Sequence, residues 1–220
     1  MNTNHRPAGR ASRGDSVSLD SDARRLARAA QDLDTDLVAR TVRKSVDEIG
    51  AILTWERLVQ PVWQYLGSRS GDVGTGSAVE HMYVQSAMSA LAAARRPRPA
   101  SPTVLLACAD EELQVFPLEA LVVALEESGA ACCVLGARVP PYALAAAAAR
   151  LDPSVVVIWS QTRDTAAPGQ IATAFEAAPA ATVVAAGPGW SSVTLPPDAV
   201  RSTEWSTTLV LTLAVIEAQG

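Results

Sequence analysis

Hydrophobic positions follow two different periods along the chain, one in each half. Between residues 22 and 95 apolar side chains recur three or four positions apart, which predicts amphipathic helices. From residue 103 onward, short apolar runs such as TVLLACA and SVVVIWS alternate with runs of helical spacing. Near-continuous apolar strands are typical of a sheet that is covered on both faces. The pattern therefore predicts a small helical bundle followed by an α/β domain.

Four helices are expected in the first half. The first two carry apolar stripes that extend to Leu33 and Ile49, and Gly50 is expected to end the second helix. Thr54 has a side chain suited to cap the third helix, which Pro61 should kink. The expected inward positions of that third helix are Trp55, Leu58, Val59, Val62 and Leu66.

Five strands and four helices are expected in the second half. The strands are expected at TVLLACA, ACCVLG, SVVVIWS, ATVVAAG and a short segment near Val200. The helices are expected over residues 117–128, 141–150, 168–177 and 204–218. Short links between such units favour a flavodoxin-like, doubly wound parallel sheet of order 2-1-3-4-5, with a ligand crevice at the carboxyl ends of the strands.

The composition divides the chain into four parts. Residues 1–20 are polar and are expected to be a disordered N-terminus, and residues 21–95 form the bundle, whose fourth helix starts near Ser77. Residues 96–102 form a proline-rich linker, and residues 103–220 form the flavodoxin-like domain. The arginines of RRPRPASP are expected to lie in solvent.

Charge and cysteine usage exclude several classes of function. The formal net charge is −5, which argues against a nucleic-acid surface. No apolar run approaches the roughly 20 residues of a membrane span, and the first residues lack the apolar core of a secretory signal. Cys108, Cys132 and Cys133 form no CxxC pair, which favours buried free thiols in a reducing cytoplasm. With His5 and His81 as the two histidines, a conventional zinc site is not expected.

Three acids follow the first strand of the α/β domain, where open sheets bind ligands. Asp110, Glu111 and Glu112 would repel a phosphate there, and we expect the first two to be solvated. A receiver domain would need an aspartate after its third strand and a lysine after its fifth. The third strand instead ends in Ser160, and no lysine follows Lys44. There is no Walker A loop and no GxSxG elbow either.

Three short segments, taken in order, resemble a known family. They are VEHMYVQSAM with Glu80 and His81, VIWSQT with Ser160, and AAGPGW with Gly187 and Gly189. Together with the two-part layout, their order and spacing over about residues 35–218 resemble the light-sensing cobalamin regulators of the CarH/LitR type. The resemblance extends more distantly to the corrinoid domains of methionine synthase.

That resemblance implies cobalamin as the cofactor and assigns roles around it. Glu80 and His81 would lie over the upper face of the corrin, with His81 as a candidate upper cobalt ligand. Ser160, Gly187 and Gly189 would lie beside the nucleotide tail of the cofactor. Without a family context, His81 is equally a packing or surface histidine and the glycines simply turn the chain.

Two departures from the family pattern weaken the implied cofactor site. The D/E-x-H-x-x-G motif, whose histidine is the lower cobalt ligand, falls here on Glu112, Gln114 and Pro117. An amide oxygen is a poor substitute for imidazole on cobalt. The tryptophan that covers the upper ligand is replaced by Ser70, although Trp63 is close enough along the chain to take that role.

These observations lead to a functional hypothesis. The chain is expected to be a non-enzymatic regulatory protein with weakened or lost cobalamin binding. Too few residues precede the bundle for the winged helix that such regulators carry, so we expect it to act through a protein partner such as a transcription regulator, without direct DNA or membrane binding. A corrinoid carrier for methyl transfer, and an enzyme that uses Glu80 and His81 as acid and base, are the alternatives. The oligomeric state is left open.

Overall fold

A computed structural model describes residues 19–69, 75–96 and 103–219. The expected disorder of residues 1–18 therefore lies outside the described residues. The same holds for residues 70–74, which include Ser70, and for residues 97–102 of the expected linker.

The described part of the first half is helical. Asp20 and Asp34 cap the first two helices, because their carboxylates accept hydrogen bonds from the backbone N–H groups of Ala23 and Leu37. The helices are α1 (Ser21–Gln31), α2 (Thr35–Thr54), a π-helical turn (Trp55–Val59), α3 (Gln60–Ser68) and α4 (Thr75–Ala94).

Details of the expected helix boundaries need correction. Gly50 does interrupt α2, with φ 82° and ψ 167°, but the chain is helical again from the next residue. Thr54 is therefore inside a helix and caps nothing, and its hydroxyl is hydrogen-bonded to that of Ser45 at 2.8 Å. Pro61 is the second residue of α3, in the first turn after the π-helical turn, where a proline is tolerated.

Two apolar residues expected on inward stripes are exposed. Leu33 is 52% exposed because it lies beyond the end of α1 with φ 55°. Ile49 is 46% exposed and immediately precedes the break at Gly50. All five inward positions expected for the third helix are buried.

The second half contains the expected doubly wound sheet. Its five strands pair in parallel in the order β2-β1-β3-β4-β5, which confirms the predicted fold class. The strands are β1 (Val104–Cys108), β2 (Cys132–Gly136), β3 (Val155–Trp159), β4 (Thr182–Ala186) and β5 (Val200–Ser202). The helices are α5 (Phe116–Glu127), α6 (Pro141–Leu151), α7 (Pro168–Ala177) and α8 (Trp205–Gln219).

The bundle packs against one face of the sheet domain through α5. Apolar side chains of the bundle, α5, α8 and one face of the sheet form a continuous core, whereas α6 and α7 cover the other face with a separate core. Arg95, at the end of the bundle, donates to the fully buried carboxylate of Glu126 at 2.6 Å. The expectation that Arg95 is solvated was therefore wrong, because its partner lies on α5.

Candidate functional site

A partly open cavity lies between the bundle and the carboxyl ends of the strands. Its volume is about 370 Å³, within the range of small-molecule sites. We call it the aromatic cavity because four tryptophans contribute to its wall. It is lined by Trp55, Gln60, Trp63, Gln64, Gly67, Glu80, Pro117, Trp159, Gln161, Pro188, Thr203, Glu204 and Trp205.

Aromatic contacts and two indole hydrogen bonds hold much of this wall in place. The ring centroids of Trp55 and Trp205 lie 5.6 Å apart, and Trp55 meets Phe116 edge to face at 5.1 Å. The indole of Trp205 donates to the carbonyl of Pro117 at 2.9 Å, and that of Trp63 donates to Glu80 at 3.1 Å. The bundle and the sheet domain therefore share one aromatic cluster.

Three polar atoms of the wall residues have no hydrogen-bond partner. They are Nε1 of Trp55, Nε1 of Trp159 and Oε1 of Gln161. Within the described part of the chain, they are all the buried side-chain nitrogen and oxygen atoms that lack a partner. Leaving a buried polar group unpaired costs about 1–3 kcal/mol, and all three of these atoms belong to residues of this one wall.

The loop after β1 is joined to the loop after β3 by a buried carboxylate. Glu112 is 4% exposed. It accepts hydrogen bonds from the backbone N–H groups of Gln114 and Gln161, both at 2.7 Å, and from the hydroxyl of Thr165 at 2.6 Å. Glu111 is exposed and pairs with Arg138 at 3.0 Å. The carboxylate of Glu112 thus fixes two loops at the strand ends.

Ser160 and the two glycines lie beside these loops, and the chain's own atoms surround them. The hydroxyl of Ser160 contacts the carbonyl of Thr162 at 2.9 Å and the hydroxyl of Thr165 at 2.7 Å. A Cβ on Gly187 would lie 2.5 Å from the carbonyl oxygen of Ser160, and one on Gly189 would lie 2.4 Å from that of Thr162. Both positions require glycine because loops pack closely there.

His81 and Gln114 line a second cavity of about 400 Å³, which we call the histidine groove. His81 is exposed, and it does not line the aromatic cavity. The side-chain oxygen of Gln114 accepts a long hydrogen bond, at 3.4 Å, from the backbone N–H of Phe116. Glu80 borders both cavities. The groove is lined by Glu80, His81, Val84, Gln85, Met88, Glu112, Leu113, Gln114 and Val115.

The structure thus divides the predicted site residues among three places. Glu80 and Trp63 line the aromatic cavity, while His81, Glu112 and Gln114 line the histidine groove. Ser160, Gly187 and Gly189 lie in the closely packed loops after β3 and β4. Glu80 and His81 are neighbours in α4, but His81 lines only the histidine groove, because consecutive helical residues point in different directions.

Sequence reasoning missed several residues of the aromatic cavity. Trp159, Gln161 and Trp205 were not singled out, although all three line it. Trp159 ends an apolar strand and Trp205 begins an apolar helix, so both follow patterns typical of core residues. Their positions at the carboxyl end of a strand and at a helix N-terminus were the available signals.

The described residues offer no preformed metal site. No group of three His, Cys, Asp or Glu side chains comes together there. Burial raises the pKa of the Cys108 thiol to about 12 and that of Cys132 to about 12 as well, which makes both thiols poor nucleophiles and poor metal ligands at neutral pH. None of the described helices is long and apolar enough to cross a membrane.

No family model and no curated protein matches the sequence. Among solved structures, the monomethylamine corrinoid protein of Methanosarcina barkeri superposes with a TM-score of 0.68, covering 87% of this chain and 96% of that chain at 9% identity. The methanol:cobalamin methyltransferase complex MtaBC of the same organism gives 0.45, covering 90% and 80% at 14% identity. A cobalamin-binding protein of Desulfitobacterium hafniense DCB-2 gives 0.42, covering 88% and 98% at 19% identity. The first superposition shows a shared fold.

Proposed function

We propose that this chain is a non-catalytic regulatory module that binds a small molecule between its bundle and its sheet domain and acts on a protein partner. The aromatic cavity carries this proposal. It lies at the carboxyl ends of parallel strands, where open α/β sheets bind ligands. The net charge of −5 favours a protein partner, such as a transcription regulator, over direct DNA contact.

Cobalamin is the first ligand to consider, since a corrinoid protein shares the fold. The bundle side of the cleft suits it. Gln60 and Gln64 line the cavity and would hold the carboxamides on the rim of a corrin, and Trp63 offers an aromatic surface. These contacts would bind and orient the corrin, which would supply a reactive cobalt centre.

The sheet side of the cleft does not suit a permanently held corrin. Gln114 supplies an amide where a protein imidazole would be needed, and its oxygen already faces the N–H of Phe116. The aromatic cavity, at about 370 Å³, is smaller than a corrinoid with its nucleotide tail, which would also have to displace the wall at Glu80. We therefore expect weak, exchangeable cobalamin binding without a bond between cobalt and the protein.

A corrinoid carrier for methyl transfer is the second candidate function. The fold shared with the monomethylamine corrinoid protein, over nearly all of that chain, favours it. The missing imidazole counts against it, because the lower ligand tunes the chemistry of the cobalt. Acid–base catalysis by Glu80 and His81 is less favoured, since Glu80 is engaged with Trp63 and His81 faces only the histidine groove.

Titration with hydroxo-, methyl- and adenosylcobalamin, followed by absorbance, tests these statements. Wild type should bind in the micromolar range or more weakly, with the spectrum of a corrinoid that lacks a protein ligand. Gln114→His should bind more tightly, with a shifted spectrum, and His81→Ala should match wild type. If the wild type bound tightly and His81→Ala abolished the binding, the expectation that the protein makes no bond to cobalt would be wrong. No binding by any variant would exclude cobalamin as the ligand.

A methyl-transfer assay separates the two candidate functions. Protein loaded with methylcobalamin should not transfer its methyl group to a thiol faster than free methylcobalamin does. Faster transfer would favour the carrier over the regulatory module.

A further inference from the structure

We propose that the aromatic cavity and the histidine groove are two compartments of one elongated binding site, and that the side chain of Glu80 is the movable partition between them. The inference rests on the proposed function, because it describes the ligand site of the same module. It goes further by assigning the groove to the ligand and by naming the residue that limits ligand length. Three observations carry it: the shared walls of the two cavities, the position of Glu80 and the packing around it.

The two cavities lie end to end along the same two walls. On the sheet side, the loop after β1 lines the histidine groove as far as Val115, and Pro117 lines the aromatic cavity. On the bundle side, the groove follows α4 from Glu80 to Met88, a rise of about 12 Å along the helix. Among the described residues, Glu80 alone lines both cavities. The groove therefore begins where the aromatic cavity ends.

The carboxylate of Glu80 is turned toward the aromatic cavity. Its Oε1 accepts from the indole of Trp63 at 3.1 Å, and a Cβ added at Gly67 would lie 3.7 Å from the same oxygen. Trp63 and Gly67 both line the aromatic cavity. One turn further along α4, on the same face of the helix as Glu80, Val84 lines the groove. The side chain of Glu80 thus closes the end of the aromatic cavity that faces the groove.

Packing fixes the rest of this boundary and leaves Glu80 as the part that can move. Phe116, which lies between the two lining residues of the loop, is fully buried. It meets the rings of Trp55 and Trp63 edge to face at 5.1 and 5.5 Å. Moving Phe116 would break a close-packed cluster. Glu80 is half-buried, and a change of its rotamer exchanges its hydrogen bonds for bonds to water.

Short and long ligands should therefore meet different sites. A ligand that fits within about 370 Å³ occupies the aromatic cavity with Glu80 in place. A longer ligand displaces the carboxylate of Glu80 and enters the groove, which adds about 400 Å³ and places His81 and Gln85 beside its path. Displacing Glu80 costs free energy, and that cost selects against long ligands.

The dye ANS (anilinonaphthalene sulfonate) and its dimer bis-ANS are matched probes of ligand length, because the second consists of two units of the first. Glu80→Ala removes the partition. Glu80→Gln is the matched control, because it is also uncharged but keeps the length of the side chain. Bis-ANS should bind Glu80→Ala at least about tenfold more tightly than Glu80→Gln, because no side chain has to be displaced. ANS should differ less than about twofold between the two variants.

His81 reports whether a ligand reaches the groove. In nuclear magnetic resonance spectra of the full chain, bis-ANS bound to Glu80→Ala should shift the ring signals of His81 together with tryptophan indole signals. ANS should shift indole signals and leave those of His81 in place. The spectrum of His81→Ala identifies the histidine signals, the fluorescence of the dyes gives the affinities, and circular dichroism confirms that each variant is folded.

The outcomes separate this inference from the proposed function. Equal bis-ANS affinities of the two Glu80 variants, or unshifted His81 signals in the bis-ANS complex, would overturn the partition. Failure of both dyes to bind either variant would overturn it as well. If cobalamin binds and the two Glu80 variants do not differ, the partition is wrong and the proposed function stands. If the dyes behave as expected and cobalamin does not bind, the partition stands and cobalamin is excluded as the ligand.

Discussion

The two ends of α5 join the bundle to the sheet domain in different ways. At the C-terminal end, Glu126 binds Arg95 and the backbone N–H of Arg96, and Glu127 accepts from the N–H of Ala51 at 2.9 Å. At the N-terminal end, Phe116 packs within the aromatic cluster around the aromatic cavity. One end is charged with its carboxylates paired, and the other is aromatic with polar atoms left unpaired.

This difference assigns different tasks to the two ends. A paired, partly buried ion pair fixes orientation, and breaking it leaves a charge without a partner. The aromatic end instead borders the cavity, where a bound ligand would contact it. We therefore expect the C-terminal end of α5 to act as a fixed joint and the N-terminal end to respond to ligand.

Loss of the Glu126 carboxylate should have the largest effect on stability. Glu126→Gln removes the negative charge that faces Arg95 and one of the two oxygens that accept from it, and it should lower the free energy of unfolding by about 2 kcal/mol. For a chain of this size that is a fall of about 4–8 °C in melting temperature. Glu48→Gln is the control, since its 3.6 Å pair with Lys44 is exposed and should contribute less than about 0.5 kcal/mol. Equal effects in calorimetry would contradict the fixed joint.

A side chain at position 50 should weaken the same joint, because Gly50 lies in the bundle next to Glu127 of α5. Gly50 has φ 82° and ψ 167°, a region in which non-glycine residues cost about 1–3 kcal/mol. A Cβ there would also lie 3.1 Å from Oε1 of Glu127. Gly50→Ala should therefore destabilise by about 2 kcal/mol in chemical denaturation. Gly169→Ala is the control, because a Cβ at Gly169 would lie in open space. A comparable loss of stability in that variant would show that the effect at Gly50 is not specific to the joint.

The joint and the cavity also differ in how far the sequence could predict them. Strand order and helix positions follow from local periodicity, so the fold was predictable, including the break at Gly50. The pairing of Arg95 with Glu126 joins residues far apart in sequence, and the local pattern around RRPRPASP indicated solvent. The aromatic cavity depends on tertiary packing of separate elements, and neither Trp159 nor Trp205 differs locally from a core residue. The position of Glu112 after β1 marked it as a site residue, but its hydrogen bonds to the loop after β3 could not be predicted from the sequence.

Replacing a tryptophan with phenylalanine at the cavity end should cost more stability where the indole N–H is hydrogen-bonded than where it is not. Trp205→Phe loses a hydrogen bond to Pro117 and leaves that carbonyl without this donor. Trp55→Phe removes an N–H that has no partner, and both changes reduce ring volume. The loss of stability should therefore be about 1 kcal/mol greater for Trp205→Phe in urea denaturation. A greater loss for Trp55→Phe would show that its N–H is already satisfied.

The smallest expected effect comes from two thiols, one near each end of α5: Cys108, which is buried, and Cys132, which is partly buried. Cys108 lies at the carboxyl end of β1, near the site loops, and Cys132 lies near Glu126 and Arg95. Burial raises the pKa of each from 9.0 to about 12. Above pH 9 the unfolded chain loses these protons first, so stability should fall as pH rises from 9 toward 12. At pH 9.5 each thiol should contribute a loss of about 0.8 kcal/mol.

Cys108→Ala and Cys132→Ala should each flatten the decline in stability between pH 8 and 9.5, by similar amounts. Denaturant unfolding at a series of pH values measures this slope independently of the absolute cost of each substitution. If Cys108→Ala alone kept the wild-type decline of stability with pH, the thiol of Cys108 would be in contact with water at the end of β1. The cavity end of α5 would then be open in the free protein, and its unpaired polar atoms would be hydrated until a ligand displaces that water.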